Sequence, residues 1–301
     1  MMLVVLRAKP LQTHRLTDRP QRAAGRPIIR DQISYAIFMV TAHSPHAFSL
    51  SLRRLFARST LSLVRIPLIS SFKAYFKVDL TIAERDNVRD YASFNDFFTR
   101  ALKPGLRVPS GTLSAPADGV ISAAGQVEQG IMLQAKGQSF EIAELLGDAN
   151  HPFQSGSYIT TYLSPRDYHR VHFPCDARLE TSTYVPGTLF SVNAQTSQHI
   201  PRLFARNERL VMNLACEHGQ IAMVLVGAAI VAAIQPFWQH HPLTARRFES
   251  RTMNSVEIAQ GQEAGRFLLG STVILLTEWS TDWAFESGES IQMGDALIQS
   301  L

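Results

Sequence analysis

The hydrophobic and polar positions change character about a third of the way along the chain. Between residues 48 and 78, Phe48, Leu52, Leu55 and Phe56 recur at i, i+4, i+7 and i+8, which places them on one helical face. Arg53, Arg54, Arg58, Arg65, Lys73 and Lys77 alternate with these residues and with Leu63 and Ile66, and no carboxylate occurs from Gln32 to Val78. Pro67 is expected to end or kink the second helix of this segment, because it lacks an N–H and crowds the preceding turn. Beyond residue 100 the pattern shortens to apolar runs broken by Gly, Asn and Asp, at 119–122, 131–134, 157–163, 220–226 and 271–276. Such runs predict an antiparallel sheet system, with short helices at 93–100 and 140–146. Near the C-terminus, Gly288 and Gly294 bracket Ile291 and read as hairpin turns. The expected fold class is α+β, a predominantly antiparallel β-sandwich or barrel-like body preceded by amphipathic helices.

Composition narrows the class. With 301 residues, 46% hydrophobic and 18% charged, the chain can fill one large core or two small ones, which excludes a disordered, collagenous or coiled-coil protein. The longest apolar runs, at 33–40 and 224–234, fall short of the roughly 20 residues of a spanning helix, so no transmembrane span is predicted. Cys175 and Cys216, without CxxC spacing, suggest neither a disulfide framework nor a zinc ribbon and are compatible with a reducing cytosol. The net charge of +4 hides an asymmetry: residues 1–78 carry 13 Lys/Arg against Asp18 and Asp31, a net of +11, whereas residues 79–301 carry a net of −7. A basic amphipathic front suits an anionic membrane surface, where each basic residue contributes about 1 kcal/mol at best. The competing reading is a helical hairpin packed on its own domain with solvated arginines. No nucleic-acid motif accompanies the charge. Residues 1–38 are Arg-rich and acid-poor, with a turn-prone stretch at 18–27, and read as unstructured: either a transit peptide or the consequence of a start at Met1 rather than Met39. The expected organisation is an N-terminal extension (1–45), a basic helical docking region (46–92) and a β-rich catalytic domain (93–301).

Candidate chemistry concentrates in three places. The run YLSPRDYHRVHFP at 162–174 holds His169 and His172 three apart after an expected strand, a spacing that does not by itself put both imidazoles in one ligand sphere. A zinc site would need a third ligand, for which His240 and His241 are candidates without supporting spacing. PADG at 116–119 puts Asp118 in a turn, where an ordinary Asx-turn is the plain alternative. LGST at 269–272 puts Ser271 after a glycine at the head of a strand. Asp118, His172 and Ser271 are the parts of an activated nucleophile, although composition cannot show that they meet.

The chain resembles the proteobacterial phosphatidylserine decarboxylases over nearly all of 93–301. The stretches that carry the resemblance are FNDFFTR at 94–100, PADGVIS at 116–122, LQAKG at 133–137, TTYLSPRDYHRVH at 160–172, YVPGTLFSVN at 184–193, LFARNER at 203–209 and GRFLLGSTV at 265–273. The basic segment before Val78 is similar to that family's membrane-docking helices to a lesser degree, and the segment 233–260 is shorter than its counterpart.

The resemblance implies a self-processing enzyme that cuts its own Gly270–Ser271 bond through the Ser271 hydroxyl. His172 would take the proton and Asp118 would support the imidazolium. Ser271 would become a pyruvoyl group, an electron sink in place of pyridoxal phosphate, with no metal required. Residues 1–270 and 271–301 would form a heterodimer of subunits, with a higher oligomer left open. The same resemblance assigns His169 to protonation after carbon dioxide leaves, and puts Tyr162, Ser191 and Asn193 at the pocket. It further implies phosphatidylserine as substrate, an anionic membrane surface as partner, no nucleic acid, and a peripheral location on the cytoplasmic face of the bacterial inner membrane. The alternatives are a zinc hydrolase using His169 and His172, or a non-catalytic membrane-bound β-domain.

Overall fold

The computed structural model describes residues 60–135, 138–228, 234–243, 247–268 and 271–298, all within one unit spanning His43–Leu301. Phe48, Leu52, Arg53, Arg54, Leu55, Phe56, Arg58 and Gly270 lie outside the described residues. Helix α1 (Ser62–Phe76) leads through a 3-10 turn (Val88–Asp90) to α2 (Phe94–Phe98), which Ser93 caps by accepting from the Asp96 N–H. The strands β1 (Leu113–Ser114), β2 (Gly119–Glu128), β3 (Ile131–Ala135), β4 (Gln138–Glu141) and β5 (Ser155–Leu163) follow, with α3 (Ile142–Leu146) between the last two. Next come β6 (Arg170–His172), β7 (Ala177–Val185), α4 (Ala194–His199), α5 (Leu203–Arg206), β8 (Arg209–Cys216), β9 (Gly219–Gly227) and β10 (Ile234–Pro236). The chain continues through β11 (Glu249–Ile258), β12 (Glu263–Phe267), β13 (Ser271–Thr277), β14 (Ser290–Ile291) and β15 (Ala296–Ile298).

One antiparallel sheet dominates. Its order is β11-β7-β8-β9-β13-β5-β2-β3-β4, with β14 added to β2; β10-β12-β6 form a three-stranded sheet, and β1 pairs with β15. Strand β13 reads STVILLT and is buried at every position, as expected of a strand covered on both faces. Period-2 alternation then sends Val273 and Leu275 into one core and Ile274 and Leu276 into another. Each such side chain contributes about 1.5–3 kcal/mol on burial. The first core is shared with Val171 and Phe173, Ile234, and Ala264 and Phe267, so the β6-β12-β10 sheet covers that face. The second is closed by Ile142, Leu145 and Leu146 of α3 and by Leu203 and Phe204 of α5. A third, smaller core joins Ile69 of α1 to Tyr91 and to Phe94, Phe97 and Phe98, and thus spans both sides of residue 92.

The α+β class and the antiparallel body match the sequence pattern, as do the helices near 94 and 142. Two expectations are narrowed. Of the end or kink expected at Pro67, the end does not occur: α1 runs through it to Phe76. Its missing N–H would have reached the Leu63 carbonyl, and Leu63 is 92% exposed, so water can serve that oxygen while the residues beyond Pro67 pack on the third core. The glycines at 288 and 294 do flank turns, yet β14 pairs with β2 and β15 with β1 rather than with each other. With two and three residues, these strands gain more from edges supplied by the rest of the fold than from a mutual hairpin.

Candidate active site

Ser271 opens β13 between two neighbours, paired with Leu163 of β5 and Gly227 of β9. It is fully buried, and its Oγ has no hydrogen-bond partner among the described residues. The hydroxyls of Thr272 beside it and of Thr160 on β5 are buried and unpartnered in the same way, so what sets Ser271 apart is its place at the head of a central strand. By register, Ser271 shares a face with Leu163 and Val273, the face covered by the sheet that contains β6.

The two histidines flank that layer with different surroundings. His169 is fully buried against Phe98, ring centroids 4.0 Å apart, and its Nδ1–H donates to the Asp167 carbonyl at 2.8 Å. A carbonyl only accepts, so the proton sits on Nδ1 and leaves Nε2 bare, and that nitrogen has no partner among the described residues. Burial, reinforced by the nearby Arg100 charge, pushes His169 down to about 3, so the ring is neutral near pH 7. His172 likewise donates Nδ1–H, to the Gly261 carbonyl at 2.7 Å, while its Nε2 accepts from the Tyr168 hydroxyl at 2.9 Å. Burial lowers its pKa, opposed by the Gly261 bond and the charges of Glu263 and Asp118. Both imidazoles are therefore neutral with the lone pair on Nε2, which in His172 is held by Tyr168 and in His169 has no partner among the described residues.

Asp118 lies in the turn before β2. Its Oδ1 accepts the Met293 N–H at 2.7 Å and its Oδ2 pairs with Arg107 at 3.2 Å, while burial raises its pKa against these contacts. The turn is laced to β6 through the His172 N–H, which donates to the Pro116 carbonyl at 2.8 Å. Gly119 is required beside it: a Cβ there would stand 2.4 Å from the Tyr162 carbonyl oxygen. Asp118 thus acts on His172 through proximity and field, and no hydrogen bond joins Asp118, His172 and Ser271 to one another. Tyr162 pairs with Thr272 and lies on the opposite face of the sheet from Ser271. Asn193 caps α4, its Oδ1 accepting from the Thr196 N–H and hydroxyl, and Ser191 is half-buried nearby in sequence.

Three residues escaped the reading by motif type. Tyr168 sits within the DYH run and holds the His172 Nε2. Arg100 closes the FNDFFTR run and is buried. Asn207 ties Phe190 to the strand beside Ser271, donating to the carbonyls of Phe190 and Gly227 at 2.9 Å each. A charged residue closing the aromatic run FNDFFTR was the available signal for Arg100. Among the described residues no group of three or more His, Cys, Asp or Glu is placed to hold a metal ion, and His240 and His241 are exposed.

Fold and site together define an enzyme built on a β-sheet, with a sealed seryl hydroxyl and two neutral imidazoles on adjoining elements. The sequence model of the phosphatidylserine decarboxylase family matches residues 94–299. The chain is 45% identical over 254 residues to the phosphatidylserine decarboxylase proenzyme of Acinetobacter baylyi, covering 81% of this chain and 88% of that protein. It is 43% identical over 240 residues to the proenzyme of that name from Methylobacillus flagellatus, covering 76% and 86% respectively. The chain belongs to the phosphatidylserine decarboxylase family.

Proposed function

We propose that this chain is a proenzyme that cleaves its own Gly270–Ser271 bond and then decarboxylates phosphatidylserine to phosphatidylethanolamine. The observation that carries the reading is the fully buried, unpartnered hydroxyl of Ser271 at the head of β13, in a chain whose relatives are named proenzymes. The Ser271 Oγ attacks the Gly270 carbonyl carbon, and the C–N bond between them breaks as the nitrogen gains a proton, exchanging amide for ester. Loss of the Ser271 Cα proton expels the Gly270 carboxylate and leaves dehydroalanine, and water then replaces the nitrogen, which departs as ammonia. His172 is assigned the hydroxyl proton, because its neutral Nε2 is basic once released from Tyr168. Asp118 supports the resulting imidazolium with its negative charge.

The residues fit a pyruvoyl group at position 271: an orphaned polar atom occupies the position, and the strand residues sharing its face, Leu163 and Val273, are apolar and buried. When formed, that group supplies an electron sink for loss of carbon dioxide. His169 is assigned by resemblance to the proton transfer that follows, with Nε2, bare and without a partner among the described residues, as the atom that takes up and passes on that proton. Tyr162, Ser191 and Asn193 remain assigned to the pocket by resemblance.

Residues 93–301 would form the catalytic body and the basic segment before them a docking surface on an anionic bilayer. In support, α1 contains no carboxylate and leaves Leu63 92% exposed, with Leu61 and Tyr75 also exposed. No helix among the described residues is long and apolar enough to cross a membrane, and peripheral attachment at the cytoplasmic face is assigned by resemblance. Intact mass measurement of the purified protein tests the core of the reading. Two chains are expected, the smaller being 271–301 with a blocked N-terminus and a mass lower than its serine-started form by one ammonia. Ser271→Ala is expected to remain one chain, and a folded wild type that stays uncut would refute self-cleavage.

A further inference from the structure

Arg100 is 2% exposed, and no carboxylate pairs with it among the described residues. A guanidinium taken out of water without an anion is costly, and two backbone carbonyls are thin compensation. Its Nη2 donates to the carbonyls of Arg166 and Asp167 at 2.7 and 3.0 Å, and the Phe97 ring lies 5.7 Å from its Cζ. Nε and Nη1 have no partner among the described residues. The Asp167 oxygen that accepts from Arg100 at 3.0 Å also accepts from the His169 Nδ1 at 2.8 Å, so those two nitrogens lie within 5.8 Å of one another. One short segment therefore fixes a buried cation with spare donors beside a neutral imidazole with a spare lone pair.

We propose that Arg100 binds the phosphodiester of the substrate headgroup and thereby sets the serine moiety against His169. This rests on the functional reading above. The substrate offers two anionic groups, and their fates differ. The carboxylate becomes neutral carbon dioxide, so a fixed cation on it would stabilise the ground state more than the transition state and slow the reaction. The phosphodiester keeps its charge throughout and can be held without that penalty. Its charge also answers what the protein leaves open, an unpaired guanidinium with unpartnered N–H groups. Arg100 further opposes a second positive charge on His169, which keeps the imidazole neutral until the anion arrives.

The test measures carbon dioxide release from phosphatidylserine in mixed micelles, with two competing probes, on the full-length self-cleaved enzyme and on Arg100→Gln. Glycerophosphoethanolamine carries the phosphodiester without a carboxylate; L-serine carries the carboxylate without a phosphate. In Arg100→Gln, the inhibition constant for glycerophosphoethanolamine and the KM for phosphatidylserine are expected to rise by about 10- to 100-fold, with inhibition by serine unchanged and two chains still present on a gel. Loss of serine inhibition instead would assign Arg100 to the carboxylate and overturn the proposal. Unchanged constants for both probes would make Arg100 a structural cation and overturn it equally. Arg100→Lys keeps the charge and is expected to retain part of the phosphodiester affinity; if neither variant yields two chains, Arg100 is a folding residue and the proposal fails. Wild-type enzyme that releases no carbon dioxide would sink the functional reading itself, and that result is read before any variant is compared.

Discussion

Asp118→Asn separates the chemistry of the Asp118 turn from its structural role. The Asp118 charge raises the His172 pKa, but it is the weakest of the influences on that ring, behind burial, the Gly261 hydrogen bond and the Glu263 charge. Arg107, 3.2 Å from Oδ2, offsets part of the Asp118 charge, so the support available to a His172 imidazolium is that of a partly screened ion pair, on the order of 1 kcal/mol. Self-cleavage is therefore expected to slow by about 3- to 10-fold. Stability should behave differently. The amide oxygen can still accept the Met293 N–H, and Arg107 retains enough exposure to rehydrate. Burial raises the Asp118 pKa in the folded state, so its favourable contribution exists below the unfolded carboxylate value and is lost as pH rises through the folded one. At neutral pH the ionised carboxylate is a net cost that asparagine lacks, and the variant is expected within about 1 kcal/mol of wild type, or about 4 °C in Tm. A cell-free synthesis time course, resolved on gels for precursor and subunits and paired with thermal melts, measures both. Wild-type cleavage kinetics in the variant would refute the supporting role, and slow cleavage together with a large drop in Tm would reduce it to a folding defect.

His172→Ala is expected to remain one chain, whereas His169→Ala should still cleave but decarboxylate poorly; equal loss of cleavage in both would refute the division of labour. Because burial holds His169 at about 3 in the folded protein, its contribution to stability is complete above the ordinary histidine value near 6.5. It is lost as pH falls from there toward 3, at about 1.4 kcal/mol per pH unit. Urea midpoints between pH 7.5 and 5 should therefore fall less steeply in His169→Leu than in wild type, and parallel slopes would contradict a neutral buried ring. Replacing Arg53, Arg54 and Arg58 with Glu should weaken flotation with anionic but not neutral liposomes, and wild-type binding should weaken with salt, since exposed charges are screened over about 8–10 Å. Unchanged flotation would favour the solvated-hairpin alternative.

Local pattern determined a good deal of this protein. The apolar run at 271–276 reads as a buried strand because its β-branched and aliphatic residues leave no polar face to solvate, and Ser93 signals the start of α2 because a serine side chain satisfies an otherwise free N–H. The candidate residues Asp118, His169, His172 and Ser271 were also legible, as reactive types inside long matched motifs. Partners were not. Nothing local states that β14 adds to β2 and β15 to β1, because strand pairing is decided by which edges the remainder of the fold leaves open. The tautomers of the two histidines follow from the carbonyls of Gly261 and Asp167, one of them 89 residues distant from its imidazole in the chain. Above all, the sequence records Arg100 as one more cation, closing an apolar run in the acidic part of the chain, whereas folding strips it of water and pairs it with no carboxylate among the described residues. Burial is a property of what packs around a residue, and only the assembled layers turn that charge from a surface feature into an unfilled demand for an anion.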